Sequence, residues 1–350
     1  MESILAIIDE NAEVRAPLTL EGANPDRFSI LSRYLNQKGY VCIGQTDQPC
    51  THYFFVLDAD KQRIVVNATN DNFHFMQPVM QLMRENGHVV TELPSANLTQ
   101  DALINALRHC DVAWFEWGDT AIVAASKLPK YCRIVCRIHR YELYGNTILQ
   151  TNWANVDEVV LVSQAMKKRF MSLLGSKLPP HLKVTVLTDH QPVSRISKKR
   201  NPFYIACVAR FAPQKNLVML LPILQELVKK DSRYKLFIAG RIEDQCLHDS
   251  FCQLVDIYGL SRNVVISGNI ASSEMAKWYS DKTFLLSTSY HESQGMGIFE
   301  AMLAGLKPVA FHAPGGLSEY LPEQYLFTSI SEAITLISNG NQTPEVYMQE

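Results

Sequence analysis

The chain has 350 residues, of which 47% are hydrophobic and 19% charged, and its formal net charge is -2. This length exceeds the roughly 100 to 200 residues that one domain usually holds, so two domains are expected. The composition excludes a disordered or fibrous protein, and the small net charge gives no reason to expect nucleic acid as a partner.

The cysteines and the N-terminus indicate the compartment. Eight cysteines are scattered through apolar runs, without a CxxC pair or a Cys/His spacing that suits zinc. We interpret them as buried thiols in a reducing compartment. The opening segment MESILAIIDENAEVR turns acidic after a few apolar residues, unlike a signal peptide, and no apolar run approaches the roughly 20 residues that cross a bilayer. A cytoplasmic protein is predicted, and peripheral contact with the inner face of a membrane is left open.

The N-terminal half becomes regular only after residue 62. Residues 1–62 contain short strand and helix patterns, and no chemistry can be assigned to them. From Arg63 onward, buried strand patterns alternate with helical ones, in the order RIVVNATN, a helix from Phe73 to Arg84, HVVTEL, DALINALRHC, DVAWFEW, YCRIVCRIHR and DEVVLVS. This alternation predicts a parallel sheet covered by helices.

A polar and basic segment around Pro192 separates this series from a second one, which runs from FYIACVAR to KPVAFHA. We predict an N-terminal Rossmann-like domain at 1–192, a linker at 193–201 and a C-terminal Rossmann-like domain at 202–330. Whether the segment 331–350 returns to the first domain is left open. Two such α/β domains are expected to face a central cleft, because open sheets bind ligands at the carboxyl ends of their strands.

The most informative stretch is TFLLSTSYHESQGMGIFEAMLAG, a buried strand followed by a polar turn and a short helix. Glycine has no Cβ, so the backbone at Gly295, Met296 and Gly297 can approach a ligand closely. The helix that begins there directs unpaired N–H groups and the positive end of its dipole at a phosphate. Glu292 in the turn and Glu300 in the helix can accept hydrogen bonds from hydroxyls. The plainer interpretation is a strand, turn and helix whose glutamate suits the helix N-terminus.

Two cations follow the first strand of the same half. In FYIACVARFAPQKN, Arg210 ends the strand and Lys215 lies beyond a turn that contains proline. Both side chains are placed to neutralise a diphosphate at the carboxyl end of the sheet. The alternative is a pair of solvated surface charges.

The segments ARFAPQKN, LFIAG, VVISGNI and HESQGMGIFEAMLAG together resemble the family 4 retaining glycosyltransferases, which have the glycosyltransferase B fold. They occur in that family's order over residues 203–321. The resemblance implies that Arg210, Lys215 and the amides of Gly295, Met296 and Gly297 hold the donor diphosphate. It makes Glu292 a catalytic candidate beside the sugar. It also implies a set of residues around the donor ribose and base, namely Glu300, Gly240, Arg241, Asn269 and Ile270.

In the N-terminal half the resemblance rests on IVCRIHRYELYG and VDEVVLVSQAMKKRF. His139 occupies a strand end where the family often has a histidine that orients the sugar, so it is the second catalytic candidate. Otherwise a lone histidine at such a position is a structural group. The family's first loop commonly contains glycines beside the acceptor, whereas NATNDNFHF has none, so no acceptor geometry is implied. Trp114 and Trp117 near a strand end could stack on a sugar, but they are interpreted as core residues.

The predicted function is transfer of a sugar, by resemblance a hexose, from a nucleotide-diphosphate sugar to a glycan, lipid or protein acceptor. The resemblance implies retention of anomeric configuration. No paired acids at DxD spacing appear where a donor would need them, so neither a metal ion nor a cofactor is expected. Two alternatives stay open at this point, a catalytically inactive subunit that binds a nucleotide sugar and a sugar-nucleotide epimerase of similar fold. The base, the sugar and the acceptor are not identified.

Overall fold

The structure is a computed structural model that describes residues 18–21, 31, 34–35, 37–38, 40–46, 52–57, 61–73, 76–188, 200–339 and 344–349. The chain divides into an N-terminal unit, Met1–Leu161 with Arg169–Thr185, and a C-terminal unit, Val162–Lys168 with Val186–Glu350. Residues 193–199 of the predicted linker lie outside the described residues, and Asn201 already belongs to a strand.

A small antiparallel sheet lies in the part of the chain to which the sequence pattern assigned no chemistry. It contains β1 (Leu18–Glu21), β2 (Tyr40–Thr46) and β3 (His52–Leu57). The strand order is β1-β3-β2, and both pairings are antiparallel. The apolar runs at 41–43 and 53–57 therefore lie in β2 and β3.

The main sheet of the N-terminal unit has six strands in the order β5-β4-β6-β7-β8-β9. The pairings from β5 across to β8 are parallel, as the alternating sequence pattern predicts. The strands are β4 (Arg63–Ala68), β5 (Val89–Leu93), β6 (Val112–Glu116), β7 (Arg133–Ile138), β8 (Glu158–Leu161) and β9 (Lys183–Val186). The helices are α1 (Gln77–Glu85), α2 (Gln100–Arg108), α3 (Thr120–Ala125), α4 (Thr147–Gln150) and α5 (Gln164–Leu174), of which the first residues of α5, up to Lys168, belong to the C-terminal unit.

The C-terminal unit contains a second six-stranded sheet, which is parallel throughout, in the order β12-β11-β10-β13-β14-β15. Its strands are β10 (Asn201–Val208), β11 (Lys235–Ala239), β12 (Val264–Gly268), β13 (Lys282–Ser287), β14 (Lys307–Phe311) and β15 (Leu326–Phe327). Its helices are α6 (Leu220–Lys230), α7 (Gln245–Ile257), α8 (Ser272–Tyr279), α9 (Met296–Leu303), α10 (Ile330–Ser338) and α11 (Pro344–Gln349).

Helices cover both faces of this second sheet, which explains why its strands are almost continuously apolar. Successive side chains of a strand point to opposite faces. Ile205 and Phe284 accordingly belong to one buried cluster, while their neighbours Ala206 and Leu285 belong to another. The two clusters form the core of the unit and hold its strand ends in place.

The strand order creates a crevice within the C-terminal unit. β11 and β12 lie on one side of β10, and β13 and β14 lie on the other. Where the order reverses, the loops that leave neighbouring strands diverge, and parallel sheets bind ligands at this point. Residues 209–216 follow β10 and residues 288–297 follow β13, so both predicted phosphate-binding segments lie at this crevice.

The end of the chain packs within the C-terminal unit, where Tyr347 of α11 is buried against Tyr325, with 6.1 Å between ring centroids. A return of segment 331–350 to the first domain stays a prediction. Within the described ranges, no helix combines the length and the hydrophobicity that crossing a membrane requires.

Candidate functional site

Lys215 and Glu292 form the centre of the candidate site. Nζ of Lys215 lies 2.6 Å from Oε1 of Glu292, and the two side chains are only 17% and 13% exposed. The hydroxyl of Thr288, just beyond β13, donates to the carbonyl oxygens of Lys215 and Asn216 at 3.2 and 3.0 Å. These contacts join two segments that are far apart in the sequence. They place Lys215, a predicted diphosphate-binding residue, in contact with Glu292, a predicted catalytic residue.

The turn at Gly295 opens helix α9 beside the end of β10. Gly295 has a φ of 90° and is the N-cap of the helix. Such a φ strains any residue with a Cβ, so glycine suits this position. A Cβ on Gly297 would lie 3.4 Å from Cβ of Val208, so the first helical turn packs closely against the last residue of β10. The backbone N–H groups of Gly295, Met296 and Gly297 therefore lie at the start of the helix, beside the end of β10.

A second glycine pair, Gly315 and Gly316, packs against this turn, and the sequence pattern did not identify it as part of the site. Gly316 N donates to the carbonyl oxygen of Glu292 at 2.8 Å. A Cβ on Gly315 would lie 1.9 Å from that same oxygen, and a Cβ on Gly316 would lie 1.9 Å from the carbonyl oxygen of Ser293. The adjacent glycines of HAPGGL were the available signal, because paired glycines often mark a close backbone approach.

Glu300 lies in α9 and has a buried neighbour that the sequence pattern did not reveal. Tyr279 Oη donates to Oε2 of Glu300 at 3.2 Å, and the tyrosine is fully buried. Burial raises the pKa of Glu300, and the hydrogen bond from Tyr279 partly offsets this. The only sequence signal for Tyr279 was its place on the apolar face of helix SSEMAKWYS.

Arg210 belongs to a separate cluster at the carboxyl ends of β10 and β11. Its guanidinium pairs with Glu243, which also accepts from Nη2 of Arg241 at 2.5 Å. Burial alone would raise the pKa of Glu243, but hydrogen bonds from Arg241 and Arg210 outweigh it and hold the pKa below its ordinary value. Arg210 and Arg241 are therefore joined through a carboxylate that sequence reasoning missed, although its signal was an acid two residues after Arg241.

Gly240 and the residues after β12 complete this end of the sheet. A Cβ on Gly240 would lie 2.0 Å from the carbonyl oxygen of Ala209, so only glycine allows the strand ends to come this close. Gly240 N donates to the carbonyl oxygen of Gly268 at 2.8 Å. Asn269 is exposed directly after β12, and Ile270 packs against the buried cluster that contains Tyr279.

His139 lies in the N-terminal unit, directly after β7. Its Nε2 is 2.7 Å from Oε1 of Glu116, and its ring lies 3.9 Å from the ring of Trp117 between centroids. The indole Nε1 of Trp114 donates to Oε2 of Glu116 at 2.9 Å. Trp114 and Trp117, interpreted from the sequence as core residues, thus both contact the His139 and Glu116 pair.

The glycine-free loop after β4 is tied to its own unit. The side chain of Asn67 is buried and donates to the carbonyl oxygen of Leu93 at 2.9 Å, while Asp71 accepts from the backbone N–H of Ser95 at 2.6 Å. These two side chains therefore support the loop. A cavity of about 570 Å³ lies in the same unit, lined in part by Ser95, Thr99 and Asp119. In the part of the chain that the structure describes, no group of three or more His, Cys, Asp or Glu side chains could hold a metal ion.

The C-terminal segment matches a known family. Residues 191–333 match the family model described as Glycosyl transferases group 1. The match contains every candidate residue of the C-terminal unit and confirms the resemblance drawn from the motifs of this region.

Curated relatives are similar to about a third of the chain. One is poly(ribitol-phosphate) alpha-N-acetylglucosaminyltransferase of Staphylococcus aureus (strain COL), 28% identical over 33% of this chain and 22% of that protein. Another is GDP-mannose:cellobiosyl-diphosphopolyprenol alpha-mannosyltransferase of Xanthomonas oryzae pv. oryzae, 31% identical over 30% of this chain and 27% of that protein. The matched segment thus spans about a quarter of the length of these relatives.

Among solved structures, the chain is similar to Anabaena HepE in complex with UDP and glucose. The TM-score is 0.63 at 15% identity, over 82% of this chain and 93% of that one. At this identity the likeness shows the fold, and it confirms the predicted α/β architecture with two Rossmann-like units.

Proposed function

We propose that this protein is a glycosyltransferase that moves a hexose from a nucleotide-diphosphate sugar to an acceptor. The observation that carries the proposal is the Lys215 and Glu292 pair, held at 2.6 Å beside the Gly295 turn at the crevice of the second sheet. The family match of residues 191–333 supports the same reaction class. The named relatives are themselves sugar transferases, which makes a glycan or a lipid-linked saccharide the first acceptor to test.

In the proposed complex the diphosphate lies against positive charge from two sides. Lys215 carries three N–H donors, so it can keep its contact with Glu292 while it donates to a phosphate oxygen. The N–H groups at the start of α9 and the positive end of the helix dipole favour the same anion. Arg210 and Arg241 approach from the neighbouring strand ends, and a phosphate can replace Glu243 as their anionic partner.

Two carboxylates accept hydrogen bonds from hydroxyl groups of the donor in the proposed complex. Glu300 accepts hydrogen bonds from the ribose, and its burial strengthens such bonds because little water competes for its oxygens. Glu292 accepts from sugar hydroxyls near the anomeric carbon, where its charge also suits a transition state that carries positive charge on the ring.

In the proposed reaction, the bond between the anomeric carbon and the phosphate oxygen breaks, and its electron pair goes to that oxygen. The acceptor hydroxyl oxygen then bonds to the anomeric carbon and loses its proton to the leaving phosphate. Lys215 and the helix N–H groups meet the growing negative charge as preorganised donors. We further propose retention of configuration and no requirement for a divalent metal, since these cations perform the charge neutralisation that a metal ion performs elsewhere.

The experiment is a donor screen with purified protein. UDP-glucose and GDP-mannose, with other uridine, guanosine and adenosine diphosphate sugars, are tested for thermal stabilisation, nucleotide release and transfer to oligosaccharide or lipid-linked acceptors. We expect at least one donor to stabilise the protein and to release its nucleotide in the presence of EDTA. A strict requirement for manganese or magnesium would contradict metal-free catalysis, and an NMR time course of the product anomer decides retention.

Two outcomes of this screen would overturn the proposal. Binding without nucleotide release for any donor and acceptor pair indicates a subunit that only binds nucleotide sugars. An isomerised donor without transfer indicates an epimerase.

We also propose a cytoplasmic enzyme that works at the inner face of a membrane when its acceptor is a lipid. The cysteines at 110, 132, 136, 207, 246 and 252 are free thiols, which suits a reducing compartment. Cell fractionation tests this location, and recovery of the protein from an oxidising compartment would refute it.

A further inference from the structure

Glu243 follows β11 and binds the two arginines that the proposed complex offers to the donor diphosphate. Its Oε1 pairs with Nη1 of Arg210 and accepts a hydrogen bond from Nη2 of Arg241 at 2.5 Å. The two guanidinium groups come from different strand ends, yet they converge on this one oxygen atom. The anion between the arginines is therefore a side chain of the protein itself.

Backbone hydrogen bonds hold the surrounding loops independently of these ion pairs. Phe211 N donates to the carbonyl oxygen of Arg241 at 2.9 Å. The N–H groups of Glu243 and Asp244 donate to the carbonyl oxygen of Phe211 at 3.3 and 3.0 Å. The ring of Phe211 is buried in the core of the unit, which anchors these bonds. The carboxylate of Glu243 can therefore leave the arginines by rotation of its side chain, without movement of the loop.

Few contacts hold the carboxylate of Glu243 in place. Its side chain is 28% exposed, and the side chains of Arg210 and Arg241 are 43% and 63% exposed. Among the residues that the structure describes, Oε2 of Glu243 has no hydrogen-bond partner. Exposed ion pairs contribute little to stability, because water competes for both charges. Moving this carboxylate into solvent therefore costs little free energy.

A phosphate that binds both arginines needs the position of Oε1. A guanidinium group binds an anion through N–H groups in a fixed plane, so two convergent guanidinium groups define one point for a shared oxygen. Burial raises the pKa of Glu243, but hydrogen bonds from Arg241 and Arg210 outweigh it and leave the pKa below its ordinary value, so the carboxylate is ionised at neutral pH. Its charge would repel a diphosphate beside it.

We propose that Glu243 is an internal competitor for the donor diphosphate, which releases Arg210 and Arg241 when the donor binds and pairs with them again as the nucleoside diphosphate leaves. This inference rests on the proposed function, because it concerns the same diphosphate site. The product has one more ionisable phosphate oxygen than the donor, so without a competitor it would stay longer on the arginines. Glu243 thus limits the affinity for the diphosphate and promotes product release.

The alternative is that Glu243 stays with the arginines and orients them for the phosphate. The two roles predict opposite results for Glu243→Gln. If the carboxylate competes, loss of its charge makes the arginines more accessible, and a diphosphate should bind more tightly. If the carboxylate orients the arginines, loss of its charge leaves them less ordered, and a diphosphate should bind more weakly.

The first measurement is calorimetric titration of the purified protein with UDP, GDP, ADP and inorganic pyrophosphate. We expect the Kd of the ligand that binds to fall by about 5-fold in Glu243→Gln, the factor equivalent to one exposed ion pair. The matched control is Glu226→Gln, which removes the same charge from an exposed pair with Lys229 on α6. The control should bind like the wild type. An unchanged or higher Kd in Glu243→Gln contradicts the competitor role.

A second variant separates the contact from the charge. Glu243→Asp keeps a carboxylate but is one methylene shorter, so it should reach the arginines less well while its negative charge stays nearby. We expect Kd to fall in this variant as it does in Glu243→Gln. If the aspartate variant binds like the wild type while Glu243→Gln binds more tightly, the charge acts through its field and the proposed exchange of partners is wrong.

The second measurement is product inhibition, with the donor that the screen identifies. The inhibition constant of the nucleoside diphosphate should fall by about 5-fold in Glu243→Gln, as its Kd does. KM for the donor should fall as well, because donor and product share the diphosphate. A merely structural role for Glu243 would lower neither constant, so an unchanged inhibition constant counts against the proposal.

The binding and transfer assays distinguish failure of this inference from failure of the proposed function. If no donor supports transfer but pyrophosphate binds Glu243→Gln more tightly than the wild type, the proposed function fails and the competitor role stands. If the wild type transfers sugar and Glu243→Gln gains no affinity, the competitor role fails and the proposed function stands. If none of the four ligands binds either protein, both are wrong.

Discussion

Lys215→Met removes one charge from the candidate site and leaves most of the packing. Methionine keeps an unbranched, flexible chain of similar shape. The lost ammonium lies 2.6 Å from Oε1 of Glu292, with side chains 17% and 13% exposed. At an effective dielectric constant of about 20, the gross attraction at this separation is about 6 kcal/mol, and desolvation of the two groups offsets much of it. We expect the free energy of unfolding to fall by about 2 kcal/mol, because a hydrogen bond to a charged group is lost.

The effect on transfer should exceed the effect on stability. In the proposed reaction the same ammonium meets the charge on the leaving phosphate, and one such contact contributes about 3 kcal/mol to the transition state. This corresponds to a loss of kcat/KM of about 10²-fold. Donor kinetics and urea unfolding measure the two quantities separately. The matched control is Lys229→Met, whose cation pairs with Glu226 at 2.6 Å on an exposed helix surface. That variant should stay within about 0.5 kcal/mol of the wild type.

A double variant tests whether the two losses have different causes. In Lys215→Met/Glu292→Gln both members of the ion pair are neutral, so neither leaves the other unpaired, and the free energy of unfolding should return to within about 1 kcal/mol of the wild type. Transfer should stay low, because the cation and the carboxylate are both missing. The reasoning is refuted if Lys215→Met turns over like Lys229→Met, or if the double variant regains transfer.

Three further predictions concern the same unit. Glu300→Gln should weaken donor binding yet raise the Tm near pH 7. Burial raises the folded-state pKa of Glu300, so its ionised form destabilises the fold above the unfolded-state pKa, and this penalty disappears in acid. A Tm gain that persists in acid would argue against this cause. Tyr279→Phe removes a hydrogen bond that lowers the pKa of Glu300, so this pKa should rise in the variant. As the pH is lowered, donor affinity measured by calorimetry should therefore begin to fall at a higher pH than in the wild type. Identical pH profiles would exclude the coupling between Tyr279 and Glu300. Gly315→Ala should lower the free energy of unfolding by at least about 2 kcal/mol and reduce transfer, because its Cβ would lie 1.9 Å from the carbonyl oxygen of Glu292. Gly259 has a positive φ but nothing within 4 Å of an added Cβ, so Gly259→Ala should lower the free energy of unfolding by only about 1 kcal/mol. Equal losses in the two variants would rule out the steric cause.

The alternation of strand and helix patterns was enough to predict two parallel sheets. A parallel strand is covered on both faces, so it is apolar along its length, and this property is visible in segments such as TFLLSTS. Lys215, Glu292 and Gly295 could be predicted as candidate site residues for a related reason. They follow strand patterns directly, and the carboxyl ends of parallel strands lie at one edge of a sheet.

The partners of these residues could not be predicted. Tyr279 contacts Glu300, and Gly315 contacts Glu292, because helices and loops return to the same edge from different parts of the chain. The sequence pattern placed Glu116 near the end of a strand and gave no indication that its side chain would contact His139. The pattern also failed to show that Arg210 pairs with Glu243, a contact that depends on β10 and β11 being neighbours.

The sequence by itself determined which segments are strands and helices and which side chains leave the strand ends. These properties depend on hydrophobic period, glycine and proline, and they act over a few residues. Only the tertiary structure decided which strand ends are adjacent, and hence that Lys215 meets Glu292 and His139 meets Glu116. The physical reason is that a hydrogen bond or an ion pair needs a separation of about 3 Å, and strand order, not distance along the chain, brings such atoms together.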